Sequence, residues 1–297
     1  MSLFVKFWGV RGSIPTPGWA TQRYGGNTSC VEIRTDDARF ICDGGSGIRE
    51  LGASLLREAA GSPVAANLLF SHAHWDHIQG FPFFGPAYLK SSRLTVYGTG
   101  AGDDKMVQLL SGQMTSDDYF PVRFSDLGAV IQSASLTSGA NLVDGVQIRS
   151  HPVFHPGGST SFRFDAGGRR VVFATDNELD LVLENAEEAA ADPEAPRICP
   201  PELVDFVRGA DLLIADGQYT DLEYKSRVNW GHSRATTLVD LAAQANVRRV
   251  AVFHHDPMQV DADVERKIAA CVSRANRMGV NVDIFAAREG FEIKLPF

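Results

Sequence analysis

Residues 71–80 read SHAHWDHIQG, which crowds His72, His74, Asp76 and His77 into one short stretch. On an α-helix His72 and His74 would point about 200° apart and could not share an ion as an i, i+4 pair does. In an extended segment the same spacing puts both on one side. The preceding NLLF (67–70) is a continuous apolar run of the kind a buried strand shows. The two histidines therefore project from a strand end, and Asp76 and His77 come from the turn beyond it. Imidazole and carboxylate donors with no thiolate nearby suit zinc, manganese or iron.

The remaining histidines are not scattered. His151 and His155 flank the end of VQIRSHPVF, His254 and His255 end RRVAVF, and His232 stands in NWGHSRATT. Asp176 ends RVVFAT. Candidate ligands thus recur just past apolar strands, where loops at a sheet edge commonly carry sites. Asp43 in CDGGSG and Asp216 in IADGQY follow the same pattern, but each is equally read as a brace for its own turn through Asx hydrogen bonding.

The chain has 297 residues, 44% hydrophobic and 22% charged, which is ordinary globular composition and long enough for a sizeable core. One large domain or two small ones fit that length, and a single domain over 1–297 is the expectation. The net charge of -8 argues against the basic face that a nucleic-acid binder usually shows. Cys30, Cys42, Cys199 and Cys271 form no CxxC pair and read as reduced thiols. The opening MSLFVKFWGVRGSIP has no small-residue cleavage site and reads as a first strand. No window approaches the roughly 18 apolar residues that span a membrane, so a cytoplasmic protein with no membrane partner is expected.

Ten short apolar runs have strand length: LFVKFW, SCVEI, RFIC, NLLF, RLTVY, VQIRS, SFRF, RVVFAT, DLLIA and RRVAVF. Helical periodicity places Ile48, Leu51, Leu55 and Leu56 on one face of GIRELGASLLREAA. SRATTLVDLAAQA reads as a helix with Ser233 as its N-cap, which sets His232 at a helix start. DADVERKIAACVSRANRMG carries Val264, Ile268, Cys271 and Val272 on a stripe, with Gly279 as the stop. Mixed α/β or α+β layers follow. ENAEEAAADPEAP (184–196) reads as a surface excursion or frayed helix. The stretch from Phe81 to Asp126, with FPFFGPAY and YFPV, is either packed core or a lid or subunit contact; a homodimer stays open.

SHAHWDH with the spaced HPGGS, ATD and FHHDP resembles the metallo-β-lactamase superfamily along nearly the whole chain. WGVRGSIPTPG, YGGNTSCVEI, CDGGSG and WGHSRAT are similar to its phosphodiesterase and ribonuclease Z branch. The resemblance implies an α/β fold, an αββα sandwich with a di-metal site at one edge of its two sheets. It implies two divalent transition-metal ions, zinc first, with manganese or iron as alternatives. His72, His74 and His155 fall to one ion, Asp76, His77 and His254 to the second, and Asp176 bridges both. His232 falls to the branch's proton donor, and Asp76 and His232 are the catalytic candidates. His151 and His255 match no ligand position; His255 with Asp256 is read as orienting its loop.

Two metals about 3.5–4 Å apart can share a hydroxide and clamp both oxygens of an in-line displacement, which suits phosphodiesters. Ribonuclease Z is expected to insert a long basic arm between its third-motif histidine and the bridging aspartate. Here only residues 156–175 lie there, filled by the hairpin SFRFDAGGRRVVFAT. With the acidic balance, that leads to a small phosphodiester such as a cyclic nucleotide as substrate, with nucleic acid an unlikely partner. The alternatives are a ribonuclease Z-like RNA nuclease, a thioester or lactone hydrolase of the same superfamily, and a metal-binding sensor with no turnover.

Overall fold

The structure is a computed structural model that describes residues 2–98, 104–115 and 120–296. The chain folds as two compact units, one of residues 1–17, 25–137 and 288–296, the other of 18–24 and 138–287. Strands and helices are numbered along the chain.

The first unit holds β1 (Ser2–Gly9), β2 (Cys30–Arg34), β3 (Arg39–Cys42), β4 (Ala65–Leu69), β5 (Arg93–Tyr97), β6 (Val130–Ala134) and β14 (Glu292–Pro296). They form one sheet in the order β14-β1-β2-β3-β4-β5-β6. Pairing is antiparallel from β14 to β3 and parallel from β3 to β6. Parallel neighbours end on the same sheet edge, so the loops after β3 and β4 emerge side by side. Helix α1 (Ile48–Ala59) buries Ile48, Leu51 and Leu55 as its periodicity predicts, with Leu56 half-buried. That face packs with Leu68, Phe70, Phe81 and Phe84. Each such side chain contributes roughly 1.5–3 kcal/mol by leaving water. Two shorter helices, α2 (Trp75–Ile78) and α3 (Lys105–Gly112), complete the unit's α-helices among the described residues.

The aromatic segment divides. Phe81 and Phe84 are core, whereas Phe83 and Tyr88 reach solvent. Tyr119 of YFPV lies outside the described residues. The split has a local cause: the segment runs as two consecutive 3-10 turns, Phe81–Phe83 and Gly85–Tyr88, which rotate adjacent rings onto opposite sides.

The second unit holds β7 (Asn141–Val143), β8 (Val146–Val153), β9 (Ser159–Ala166), β10 (Arg169–Ala174), β11 (Leu212–Asp216), β12 (Arg249–Phe253) and β13 (Asp283–Ala286), in the order β13-β12-β11-β10-β9-β8-β7. Pairing is antiparallel from β7 to β10 and parallel from β10 to β13. Gly167 and Gly168, at φ 54 and 72, close the β9–β10 hairpin where DAGGRR predicts a turn. Helices α4 (Ala186–Ala191), α5 (Pro201–Val207), α6 (Asp221–Tyr224), α7 (Thr237–Gln244) and α8 (Asp261–Met278) flank this sheet.

Two helix readings need correction. Ser233 caps no helix, because α7 starts at Thr237 with Thr236 at its N-cap. The Ser233 hydroxyl instead accepts the Leu179 N–H at 3.0 Å and donates to the Asn177 carbonyl, which keeps 232–234 extended. His232 is therefore not at a helix start. On α8, Val264 and Cys271 are buried, Ile268 is half-buried and Val272 is exposed. Lys267 and Arg274 occupy the rest of the inner face, and Arg274 forks onto Asp240 of α7 at 2.6 and 2.8 Å. Polar partners on α7 and in the 218–259 loops make charged residues tolerable there, which hydrophobic periodicity cannot detect.

Candidate metal centre

In the first unit β4 ends at Leu69, and the chain stays extended through His74 (φ -64, ψ 154). That geometry sets the rings of His72 and His74 together, 4.4 Å between centroids, with His77 packed 4.3 Å from His72 across the start of α2. His72, Asp76 and His77 are buried and His74 is exposed. The hub beneath them is Asp43, just past β3. Its Oδ2 accepts His77 Nδ1 at 2.7 Å and Ser29 Oγ at 3.0 Å, and its Oδ1 accepts the Ser71 N–H at 2.8 Å. The Ser71 hydroxyl also donates to Asp43, so it accepts from His72 Nδ1 at 3.1 Å. Asp76 is held by the Ser13 N–H at 2.7 Å, which explains what the opening WGVRGSIP delivers. Gly45 is required by proximity: a Cβ there would lie 2.2 Å from the Asp76 carbonyl oxygen.

In the second unit Asp176, Asp216 and His254 lie at or just past the ends of β10, β11 and β12. Asp176 stands between two imidazoles, its Oδ1 3.2 Å from His254 Nε2 and its Oδ2 3.7 Å from His155 Nε2. His155 Nδ1 donates to the Gly231 carbonyl at 2.9 Å, and His254 Nδ1 to Gln218 Oε1 at 2.9 Å. Asp216 does two things at once. Its Oδ1 braces its own turn by accepting the Gln218 N–H at 3.0 Å, and its Oδ2 accepts His232 Nδ1 at 2.7 Å. The His232 ring stacks on His254, 4.9 Å between centroids at 24°. Asp176, Asp216, His232 and His254 offer ligand atoms within 4.8 Å of one another. Glu178, fully buried, accepts the N–H groups of Asn229 at 2.7 Å and Gly231 at 2.6 Å and so fixes the loop that carries His232.

Asp43, Asp176 and His254 sit in the left-handed region, at φ 61, 47 and 58. Such positions cost on the order of 1–3 kcal/mol each and persist where the surroundings enforce them. All three turn a functional side chain away from its strand axis.

The donor chemistry fits metal ions. A carboxylate or carbonyl oxygen can only accept, so the Nδ1 atoms of His77, His155, His232 and His254 carry the proton. In the neutral rings of His77, His155 and His254 the Nε2 atoms then present lone pairs. His77 Nε2 lies 3.2 Å from Asp76 Oδ2, just as His155 and His254 face Asp176. Two acceptors at such distances repel unless a proton or a cation stands between them. A ligand imidazole whose other nitrogen donates to an oxygen is the arrangement metal sites use.

His151 and His255 join neither of these clusters, while Asp256 accepts from Gln218 Nε2 at 3.4 Å. His151 stacks on Phe206 of α5, 5.1 Å between centroids, and burial pulls its pKa down. His255 Nε2 bonds the Ala287 carbonyl at 2.9 Å, and Asp256 accepts the Met258 N–H at 2.7 Å. Gln218 and Glu178 carry no signal in the sequence, since each reaches a partner distant along the chain; Ser71 adjoins His72, but its link to Asp43 is equally long-range. Gln218 is itself held: the Lys267 ammonium donates to its carbonyl at 3.0 Å, and burial pushes the Lys267 pKa down to about 8.

The family model described as Beta-lactamase superfamily domain matches residues 38–255. Ribonuclease Z of Halobacterium salinarum is 25% identical over 336 residues, covering 100% of this chain and 99% of that protein. The metallo-beta-lactamase fold protein YhfI from Bacillus subtilis matches at a TM-score of 0.68 and 16% identity, covering 99% of both chains. Human tRNase Z, short form, matches at 0.64 and 16%, covering 99% of this chain and 100% of that one. The chain belongs to the beta-lactamase superfamily, and its two mixed sheets flanked by helices have the metallo-β-lactamase fold. The expectation that nucleic acid is an unlikely partner is overturned, because a relative matched along its full length is a ribonuclease. Net charge misled there: a sum over the whole surface does not report the field at one site. No helix among the described residues is long and apolar enough to cross a membrane.

Proposed function

We propose that this member of the beta-lactamase superfamily is a metal-dependent phosphodiester hydrolase of the ribonuclease Z kind, acting on RNA. By the family resemblance, His72, His74 and His155 would hold one divalent ion, Asp76, His77 and His254 a second, and Asp176 would serve both. When bound, two such ions neutralise phosphate charge and supply an activated water. The protein's own part is positional. Asp43, Ser71, Gln218 and the Gly231 carbonyl fix the ring orientations, and the Ser13 N–H fixes Asp76.

The observation that carries hydrolysis over mere metal binding is the His232–Asp216 pair, 2.7 Å long. An imidazole oriented through Nδ1 by a carboxylate can, when Nε2 also carries a proton, hand that proton to a departing alkoxide. A protein that only binds metal has no use for such a donor. RNA as the class of diester rests on the likeness to ribonuclease Z along the whole chain. The test is a precursor tRNA carrying a 3′ trailer, incubated with metal-loaded protein. Endonucleolytic cleavage that depends on His232 is expected. Turnover of generic diesters with no cleavage of any RNA would refute the reading.

A further inference from the structure

Within the first unit, a groove of about 670 Å³ runs along the ligand-bearing turn. Its walls include Ala73, Trp75, Pro82, Phe83, Leu109 and Phe120, and none of the described lining residues is charged. The sequence alternation explains where it lies. In the extended segment, His72 and His74 face one side, and Ala73 and Trp75 line the groove. The groove and the metal ligands are thus two sides of one stretch of backbone.

Its aromatic faces are presented to solvent instead of being packed. Trp75 is 73% and Phe83 57% exposed, although neighbouring Phe81 and Phe84 are fully buried. Phe83 is fixed in place. Its N–H donates to the Gly80 carbonyl at 2.9 Å, its ring meets Phe120 edge-on at 5.4 Å, and the Tyr88 hydroxyl braces the Pro82 carbonyl at 2.6 Å. Gln113 is tied to the Ile78 carbonyl at 3.2 Å, which joins the far wall to α2. The volume lies in the range of pockets that hold small organic groups. The described lining offers a phosphate no cationic partner, and exposed rings held in place suit a flat π-face.

We propose that this groove is a nucleobase subsite: it stacks an unpaired base of the RNA adjacent to the scissile phosphate. The inference rests on the RNA hydrolase reading and supplies what that reading lacks, a reason for a nucleotide rather than any diester to bind. Stacking on aromatic side chains is tolerant of base identity, so the subsite selects for the presence of a base and not for its sequence.

The test uses the metal-loaded full chain and two labelled single-stranded oligoribonucleotides, one complete and one with abasic residues flanking the scissile bond. Affinity is measured by fluorescence anisotropy and cleavage separately. The wild type is expected to prefer the complete strand, and Phe83→Ala to reduce that preference about 10-fold or more, as loss of one stacked base does. Phe83→Trp should keep it, which separates stacking from a folding defect. An equal loss on both strands, or a preference that Phe83→Ala leaves intact, overturns the subsite. Base-dependent binding without RNA cleavage would refute the hydrolase reading and keep the groove, whereas RNA cleavage with no base preference would do the reverse.

Discussion

The two units use the same sheet plan and deliver the proposed ligands in opposite ways. Each has seven strands, three antiparallel pairings followed by three parallel ones. In the first unit one extended stretch and a four-residue helix present His72, His74, Asp76 and His77 together. In the second, His155, Asp176 and His254 come from separate loops, and His232 from a fourth. The orienting partners differ too. The first unit leans on a single carboxylate, Asp43, for both His77 and Ser71. The second spreads the task over Gly231, Gln218 and Asp216. A contiguous ligand set needs one strong anchor, whereas a dispersed set needs one anchor per loop.

The sharpest way to break that comparison is His232. His232→Ala is expected to lower turnover by on the order of 10²–10⁴-fold while metal content stays at the wild-type level. The loss should shrink for substrates with good leaving groups such as nitrophenolate. Loss of an ion instead would move His232 into the ligand set of the second unit.

Next in size come the anchors. Asp43→Asn should weaken metal binding by roughly 10–100-fold, as removal of such orienting partners generally does. Gln218→Leu, which frees His254 alone, should have a smaller effect. Competition with a metal chelator ranks the two, and equal losses would erase the contrast between a shared anchor and distributed ones.

Close approach gives a matched pair of glycine variants. A Cβ at Gly231 (φ 90) would fall 2.3 Å from His155 Nδ1, and one at Gly45 2.2 Å from the Asp76 carbonyl oxygen. Gly231→Ala is expected to cost about 1–3 kcal/mol in chemical denaturation, part of it from the left-handed backbone. Gly45→Ala should also destabilise, though without that backbone contribution. Wild-type stability for both would show that these loops yield more easily than their contacts imply.

An effect of the same order as the glycine costs is expected at Lys267, read through pH instead of substitution. The unfolded chain keeps this proton up to the usual lysine range, and the folded chain only to about 8, because burial disfavours the charge. Between those values the unfolded state holds more protons, so stability rises with pH across that window. The whole rise is on the order of 1–3 kcal/mol. Denaturation midpoints at pH 7.5 and 9.5 should differ in the wild type and converge in Lys267→Met.

The strands divide along the same physical line as the ligands. All ten apolar runs picked out from sequence are strands, and the four strands without such a run, β6, β7, β13 and β14, are the outer strands of the two sheets. Outer strands are covered on fewer sides, so they alternate with polar residues or stay short, as EIKLP does with Ile293 and Leu295 buried and Glu292, Lys294 and Pro296 exposed. A strand-length apolar run, continuous as in NLLF or alternating as in VQIRS, marks a strand with neighbours on both sides, and its absence is silent about one with a single neighbour.

By itself, then, the sequence determined the inner strands, the helix faces that carry only apolar residues, and a candidate ligand motif that needs no folding to be contiguous. Only tertiary structure decided that Asp43 and Asp216 hold histidines as well as turns, that Ser233 ties down a loop instead of capping a helix, and that Lys267 and Arg274 are buried. It also decided that Phe83 faces solvent while Phe84 is core. The reason is common to all of these. Hydrophobic periodicity and motif spacing are properties of short stretches of chain. A hydrogen-bond partner, a left-handed turn enforced by its surroundings, and the burial of a charge depend on which distant residue arrives beside it.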